Sequence, residues 1–283
     1  MFLTMQIDEE KALAQLTSSG IKIPPQPQVL VELRKRLESD DYTVRGLARI
    51  IGQDPGLSAL LFKAVRSPVF RRNKKVENLE QVLMIIGVKQ TFNLVQAAAL
   101  SSTLTRKSRK VFDIFWTRSN EIAKLAAIIA ADRVTVCNVF PDQAYMAGIF
   151  HECGVPVLMQ RFPKYCAALN LEDACCWPDL AEEDEKFNLD HCSVGYLVAR
   201  HWNLPEFICA AIRYHHELPT DEFGASRTLV ATLQLAIHFF NRLNRAPDRL
   251  WEGIGREVLA ELGLGAENLE DYYEEIIERF HEE

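Results

Sequence analysis

The chain has 283 residues, 48% of them hydrophobic, enough to bury the core of one large domain or two modest ones. No run of about 18 uncharged apolar residues is present, and Met1 to Glu10 lacks a basic region followed by an apolar core, so neither a membrane span nor a secretory signal is expected. Seven cysteines, an odd number, suit a reducing cytoplasm better than a disulfide frame, and the net charge of −7 is uneven, with 18 Lys and Arg against 10 Asp and Glu in residues 1–110 and 14 against 29 in the remainder.

The periodicity is helical throughout, with no convincing period-two runs between turn residues. After the breaker Pro24-Pro25-Gln26-Pro27, the residues Val29, Leu30, Leu33 and Leu37 mark one apolar face. A short helix follows Thr43, with Val44, Leu47, Ala48 and Ile51 inward, and stops at Gly52. Asp54-Pro55 starts the next. Asp is a preferred N-cap, and proline suits the first helical position because the N–H it lacks would be unpaired there. Leu57, Leu60, Leu61, Ala64 and Val65 form its stripe, and Ser67-Pro68 ends it. A basic loop then carries Arg71, Arg72, Lys74 and Lys75. Asn78 is placed to cap the following helix, with Gln81 reaching back as in a capping box, Leu79, Val82, Leu83 and Ile86 inward, and Gly87 as the stop. A helix from about Lys89 to Leu104 is expected next, and the polar segment Thr105 to Lys110 reads as a joint.

Beyond the joint, Phe112, Phe115 and Trp116 open an alanine-rich helix to about Arg133. Ala144 to Met159 reads as a nearly all-apolar, buried helix interrupted by Gly154 and Pro156. Glu172 to Glu185 is acidic and contains Trp177-Pro178, a loop or short helix. His191 to Trp202 forms a helix capped by Asp190; Pro205 to Tyr214 and Thr228 to Leu243 follow, and Asp248 to Phe280 gives one or two closing helices. The adjacent Cys175-Cys176 has no partner pair at zinc-site spacing and reads as structural.

Four of the seven histidines fall into one order: the pair His151-Glu152, a lone His191, and the doublet His215-His216. Imidazole and carboxylate in such a set are what a helical metal-dependent phosphohydrolase uses to hold metal beside a phosphate. Together with Ile23-Pro24-Pro25-Gln26-Pro27, Ile51 to Leu57, Leu79 to Gly87, Trp116 with Ser119, Gly148 to Gly154, Asp190-His191, Val194-Gly195 and Trp202 to Pro205, the pattern resembles the HDOD output domains of bacterial signalling proteins, relatives of the HD phosphohydrolases. The resemblance covers roughly residues 20 to 218. It implies an all-α, HD-domain-like helical bundle with an N-terminal helical subdomain: residues 20–105 for that subdomain, 106–218 for a degenerate HD-like bundle, and 219–283 for a C-terminal helical extension packed on it. It also implies a role in signal transduction or regulation, and no reaction common to the family.

Metal-binding HD proteins use a histidine on an early helix, the His-Asp pair and a late aspartate. The resemblance places Arg118 at the early position, Glu152 in the pair and Ile237 at the late one. A guanidinium has no lone pair and stays charged, so it cannot ligate. At about 5 Å and an effective dielectric near 20 it would oppose a divalent ion by about 6 to 7 kcal/mol before screening. The histidines then read as buried residues bonded to one another, to carbonyls or to carboxylates. A remnant anion pocket formed by Arg118, His151, Glu152, His191, His215 and His216 is the alternative ligand site. His238, beside Ile237, reads as a boundary imidazole rather than a surrogate ligand, and Cys153 as an inert thiol.

The helices around Gly52-Gln53-Asp54, followed by Lys63, Arg66 and the basic loop, loosely resemble a helix-turn-helix, but Asp54-Pro55 and the apolar stripe point to a packing corner, so nucleic-acid contact is not expected. No Gly-x-Ser-x-Gly elbow or phosphate-cradling glycine loop occurs. The expectation is a cytoplasmic, catalytically degenerate regulator that binds a signalling protein partner or a small anion, with no cofactor. A metal-dependent phosphohydrolase with ligands His151, Glu152, His191, His215 and His216 is the rival.

Overall fold

The computed structural model describes residues 28–39, 42–65, 76–92, 94–95, 109–173, 176–202, 204–219 and 224–281. Among the described residues every regular element is helical, as the periodicity requires. No helix among them is long and apolar enough to cross a membrane.

The first four helices are short and set by their caps. They are α1 (Gln28–Glu38), α2 (Val44–Ile51), α3 (Pro55–Ala64) and α4 (Leu79–Ile86). The Thr43 hydroxyl accepts from Gly46 N at 3.0 Å and the Asp54 carboxylate from Leu57 N at 3.1 Å, each supplying one of the orphan donors of a helix start. Asn78 accepts from Gln81 N, but the Gln81 side chain accepts from Glu77 N rather than from Asn78 N, so the expected capping box is displaced one residue upstream. Gly87 ends α4 at φ 87°, a left-handed angle that suits glycine. The corner between α2 and α3 turns Ile51, Leu57 and Leu61 into the core. The helix expected from Lys89 is present over 88–92 and 94–95; its remainder, the basic loop and the joint at Thr105 lie outside the described residues.

The second group begins with α5 (Arg109–Cys137), which runs past the expected end at Arg133. It continues with α6 (Pro141–Phe150), α7 (Gly154–Arg161), the single turn α8 (Tyr165–Ala168), α9 (Leu180–Phe187), α10 (His191–His201) and α11 (Glu206–Tyr214). The C-terminal part adds α12 (Ala225–Leu243), α13 (Arg249–Glu261), a 3-10 turn at Ala266–Asn268, and α14 (Leu269–His281). One expectation is corrected. The apolar stretch from Ala144 is not one helix: it breaks at His151–Cys153, so that Pro156 lies in the first turn of α7, where its missing N–H costs nothing. The acidic stretch, read as a loop or short helix, ends in α9, where Glu183 is fully buried.

Two apolar clusters hold the helices together. One joins Leu30, Leu47, Leu61 and Leu83 of the N-terminal helices to Phe115 of α5, Phe150 of α6, Leu158 of α7, Trp202 and Ile212 of α11. The other joins Ile122, Leu125 and Ile129 of α5 to Leu233 and Phe239 of α12, Val258 of α13 and Ile276 of α14. Burying such side chains at about 25 cal/mol per Å² is the main favourable term. Polar ties add direction: the Arg34 guanidinium donates to Trp202 O at 2.6 Å, and Gln90 donates to Asp142.

Candidate functional site

The histidines are placed by helix ends. The His151 N–H donates to Ala147 O as α6 finishes, and His151, Glu152 and Cys153 form the turn into α7. That turn presses against α10. A Cβ on Gly154 would lie 2.0 Å from His191 O and 2.8 Å from Gly195 N, which only glycine avoids. Gly148 in α6 is as tight, 2.4 Å from the Cα of Ala123 in α5. The Asp190 carboxylate accepts from Ser193 N at 2.7 Å and so starts α10 at His191. His215-His216 follow the last turn of α11.

These elements bring His151, Glu152, His191, His215 and His216 together. The His191 Nδ1–H donates to Glu183 Oε2 at 2.6 Å, and its Nε2 lies 3.1 Å from His215 Nε2 and 3.1 Å from His216 Nε2. His215 Nδ1 lies 2.9 Å from Ile212 O, and His151 Nδ1 lies 2.7 Å from Gly148 O. A carbonyl only accepts, so both Nδ1 atoms carry the proton and both Nε2 atoms present a lone pair. The His151 ring meets His215 edge-on, centroids 5.1 Å apart. Glu152 Oε2 stands 3.7 Å from His191 Nε2. His151 Nε2 and both Glu152 oxygens are buried with no hydrogen-bond partner.

Burial dominates the electrostatics. It pushes the His151 pKa down to about 3, with the positive charges of His191 and Arg118 adding to it, so this imidazole is neutral. His215 and His216 are held well below the usual imidazole value for the same first reason. Burial lowers His191 too, but Cys192, Glu152 and Glu183 around it prevail and raise it well above that value. The Glu152 carboxyl is raised by burial against the pull of His191 and Arg118. Burial also pushes the Cys153 thiol up, which agrees with an inert residue.

Arg118 does not line a surface: it is 2% exposed, its guanidinium carbon 4.0 Å above the Trp177 ring, and its Nη2 donates to Cys176 O at 3.0 Å. Its charge is felt at both His151 and Glu152. Ile237 is buried in the second core with no donor to offer. His238 is turned away to another carboxylate, donating Nδ1–H to Asp248 at 2.8 Å and stacking on Trp251 at 4.0 Å.

Four residues of this region escape sequence reasoning. Glu183 orients His191 and also accepts from the Tyr165 hydroxyl. Cys192 places its Sγ 3.6 Å from His191 Nε2 and 3.7 Å from His215 Nδ1. Trp177 covers Arg118 and donates Nε1–H to Asn241 Oδ1 at 3.0 Å. Gln234 of α12 donates to Tyr214 O at 3.2 Å. The Asp190-His191 cap was a usable signal for Cys192, which follows directly; Glu183 had none, lying in an acidic run.

At the positions that the resemblance assigns to the early and late ligands stand a buried cation, Arg118, and a buried alkyl chain, Ile237. What converges instead is a set of imidazoles and one thiol: His191, Cys192, His215 and His216 bring one donor atom each within 4.8 Å of one another.

An all-helical bundle that gathers these histidines at its centre defines the class. The chain belongs to the HDOD domain family, whose model matches residues 23–218. An HDOD domain protein from Geobacter sulfurreducens, of unknown function, has a TM-score of 0.65 at 22% identity, with 97% of each chain covered. A candidate signal transduction protein from Marinobacter aquaeolei has a TM-score of 0.70 at 19% identity, covering 97% of this chain and 64% of that one. A candidate metal-dependent phosphohydrolase from Shewanella amazonensis has a TM-score of 0.66 at 18% identity, covering 96% and 97%. At these identities the likeness establishes the fold. A curated but uncharacterised protein of Treponema pallidum is 24% identical over 244 residues, 84% of this chain, and the chain spans 47% of that protein's length.

Proposed function

We propose that this chain is a regulator in bacterial cytoplasmic signal transduction that acts by binding a protein partner and does not turn over phosphoesters. The observation that carries the reading is the sealing of the centre: Arg118, His151, Glu152, His191 and His215 are each at most 3% exposed. A phosphodiester has no approach to these donors, and Trp177 would have to leave Arg118 before a small anion could pair with it. A protein partner needs no such opening. The uneven charge, basic over residues 1–110 and acidic after them, suits a charged partner. In this reading residues 20–105 and 106–218 form the two parts of the HDOD-like domain and 219–283 an extension closing over it. The name carried by the Marinobacter neighbour supports the signalling role.

The rival, a metal-dependent phosphohydrolase, draws support from the unspent His151 Nε2 and Glu152 oxygens. Assays of the full chain with bis-p-nitrophenyl phosphate and cyclic dinucleotides, in manganese or iron(II) and again with chelator, separate the two. No turnover is expected under any condition. Chelator-sensitive hydrolysis that disappears in His151→Ala would overturn the proposal.

A further inference from the structure

The three imidazole nitrogens around His191 have too few protons to satisfy one another. His191 Nε2 lies 3.1 Å from His215 Nε2 and 3.1 Å from His216 Nε2. His215 spends its proton on Ile212 O, so its Nε2 is bare. His191 spends its own on Glu183. Bare nitrogens at this separation repel unless a cation lies among them. Protein chemistry alone offers one solution, an imidazolium at His191 whose single Nε2–H is shared between two acceptors. A metal ion offers another, in which each lone pair has its own bond.

The spacings fit the metal. A tetrahedral ion with metal–nitrogen bonds near 2.0–2.1 Å and a metal–sulfur bond near 2.3 Å sets its donors about 3.3–3.6 Å apart. The observed separations are 3.1 Å for the two imidazole pairs, 3.6 and 3.9 Å from Cys192 Sγ to His191 Nε2 and His215 Nε2, and within 4.8 Å for every pair, so the set needs only to contract around an ion. The supporting groups fit as well. Metal-binding histidines usually donate their other ring N–H to a carboxylate or a carbonyl, as His191 does to Glu183 and His215 to Ile212. Glu152, buried with both oxygens unpartnered and 3.7 Å from His191 Nε2, is a counter-charge beside the cluster.

We infer that His191, Cys192, His215 and His216 hold a single soft divalent metal ion of the zinc type, with the Cys192 sulfur as a thiolate ligand. This is not the oxygen-rich pair of an HD hydrolase. Imidazole and thiolate select zinc-like ions over magnesium or manganese, and Arg118, whose charge reaches His151 and Glu152, opposes a second ion on that side. Four protein donors close a tetrahedral ion, leaving no coordination position for water, as in structural zinc sites. On binding, the Cys192 thiol and the Nε2–H of the His191 imidazolium each lose a proton to solvent, and the sulfur–metal and nitrogen–metal bonds take their places. The partly buried His216 marks the side from which the ion enters.

The test uses the full chain without a polyhistidine tag, loaded with zinc or cobalt(II) alone and then dialysed. We expect about one ion per chain, and a melting temperature roughly 5 °C or more above that of chelator-treated protein. The cobalt form is expected to show a thiolate-to-cobalt charge-transfer band in the near ultraviolet. Cys192→Ser should abolish that band, and both Cys192→Ser and His216→Asn should weaken binding by roughly tenfold or more. A folded wild type that keeps no metal, two ions per chain, or a cobalt spectrum unchanged by Cys192→Ser would each overturn the inference. If Cys192→Ser does not fold, the band in the wild type decides alone, and its absence with cobalt bound is equally fatal. None of these readouts depends on phosphoester turnover, so metal occupancy and the regulatory reading stand or fall separately.

Discussion

Two histidine–carboxylate pairs in this molecule look alike in their hydrogen bonding and differ in what they leave over. His191 and His238 each donate Nδ1–H to an acid, Glu183 at 2.6 Å and Asp248 at 2.8 Å. The His238 ring is partly exposed and lies flat on Trp251 at an interplanar angle of 8°, and Asp248 also accepts from Trp251 N, so the pair is spent on joining α12 to α13. The His191 ring is fully buried, and its second nitrogen faces two further imidazoles. A histidine beside an acid is therefore common architecture. Several lone pairs aimed at one point, each ring pinned from behind, make a site.

The largest break in that contrast should come from Gly154→Val. The added carbons meet His191 O in the backbone, which cannot step aside, and we expect a loss of about 4 kcal/mol or outright failure to fold, read by urea denaturation. Glu183→Ala comes next. It strips His191 and Tyr165 of their buried acceptor and should cost about 3 kcal/mol in the same measurement. Acid sharpens the comparison further. His151 is neutral in the fold with a pKa of about 3, whereas an unfolded imidazole titrates near 6.5. Below pH 6.5 the unfolded chain takes up a proton that the folded chain refuses. Stability therefore falls as pH drops, by about 1.4 kcal/mol per unit for this group alone, until pH nears 3. Urea midpoints of chelator-treated protein should fall between pH 7 and pH 5, and His151→Gln should make the fall shallower without removing it, because His215 and His216 are depressed as well. Asp248→Asn should weaken the His238 pair and the start of α13 by only about 1 kcal/mol, with metal content unchanged. Smallest, and opposite in sign, is Gly253→Ala in α13. A Cβ there meets nothing within 4 Å, so stability should rise by about 0.5–1 kcal/mol, and a fall would show that the helix surface is covered.

Much of this was legible before any coordinates. Thr43, Asp54, Asn78 and Asp190 cap where their chemistry says they should, because capping is local and a few residues decide it. The order of the histidines points to the five candidate donors and the family resemblance to Arg118, and the fold gathers the donors. What escaped is tertiary. Glu183 reads as one more surface acid among Glu182, Asp184 and Glu185, and only the packing of α9 turns it inward. The break at His151–Cys153 hides in an apolar run, since nothing local marks it ahead of Gly154. Burial of Arg118 depends on Trp177 and on the C-terminal helix that holds it through Asn241.

The 29-residue helix α5 has a consequence for how the molecule comes apart. Ala123 and Ala127 on one side belong to the first apolar cluster, while Ile122, Leu125 and Ile129 on the other belong to the second. Peeling away either half leaves a naked greasy rod in water, so neither half can melt first at small cost. The two clusters are wired in series through one spine, and heat should take them together in a single sharp transition.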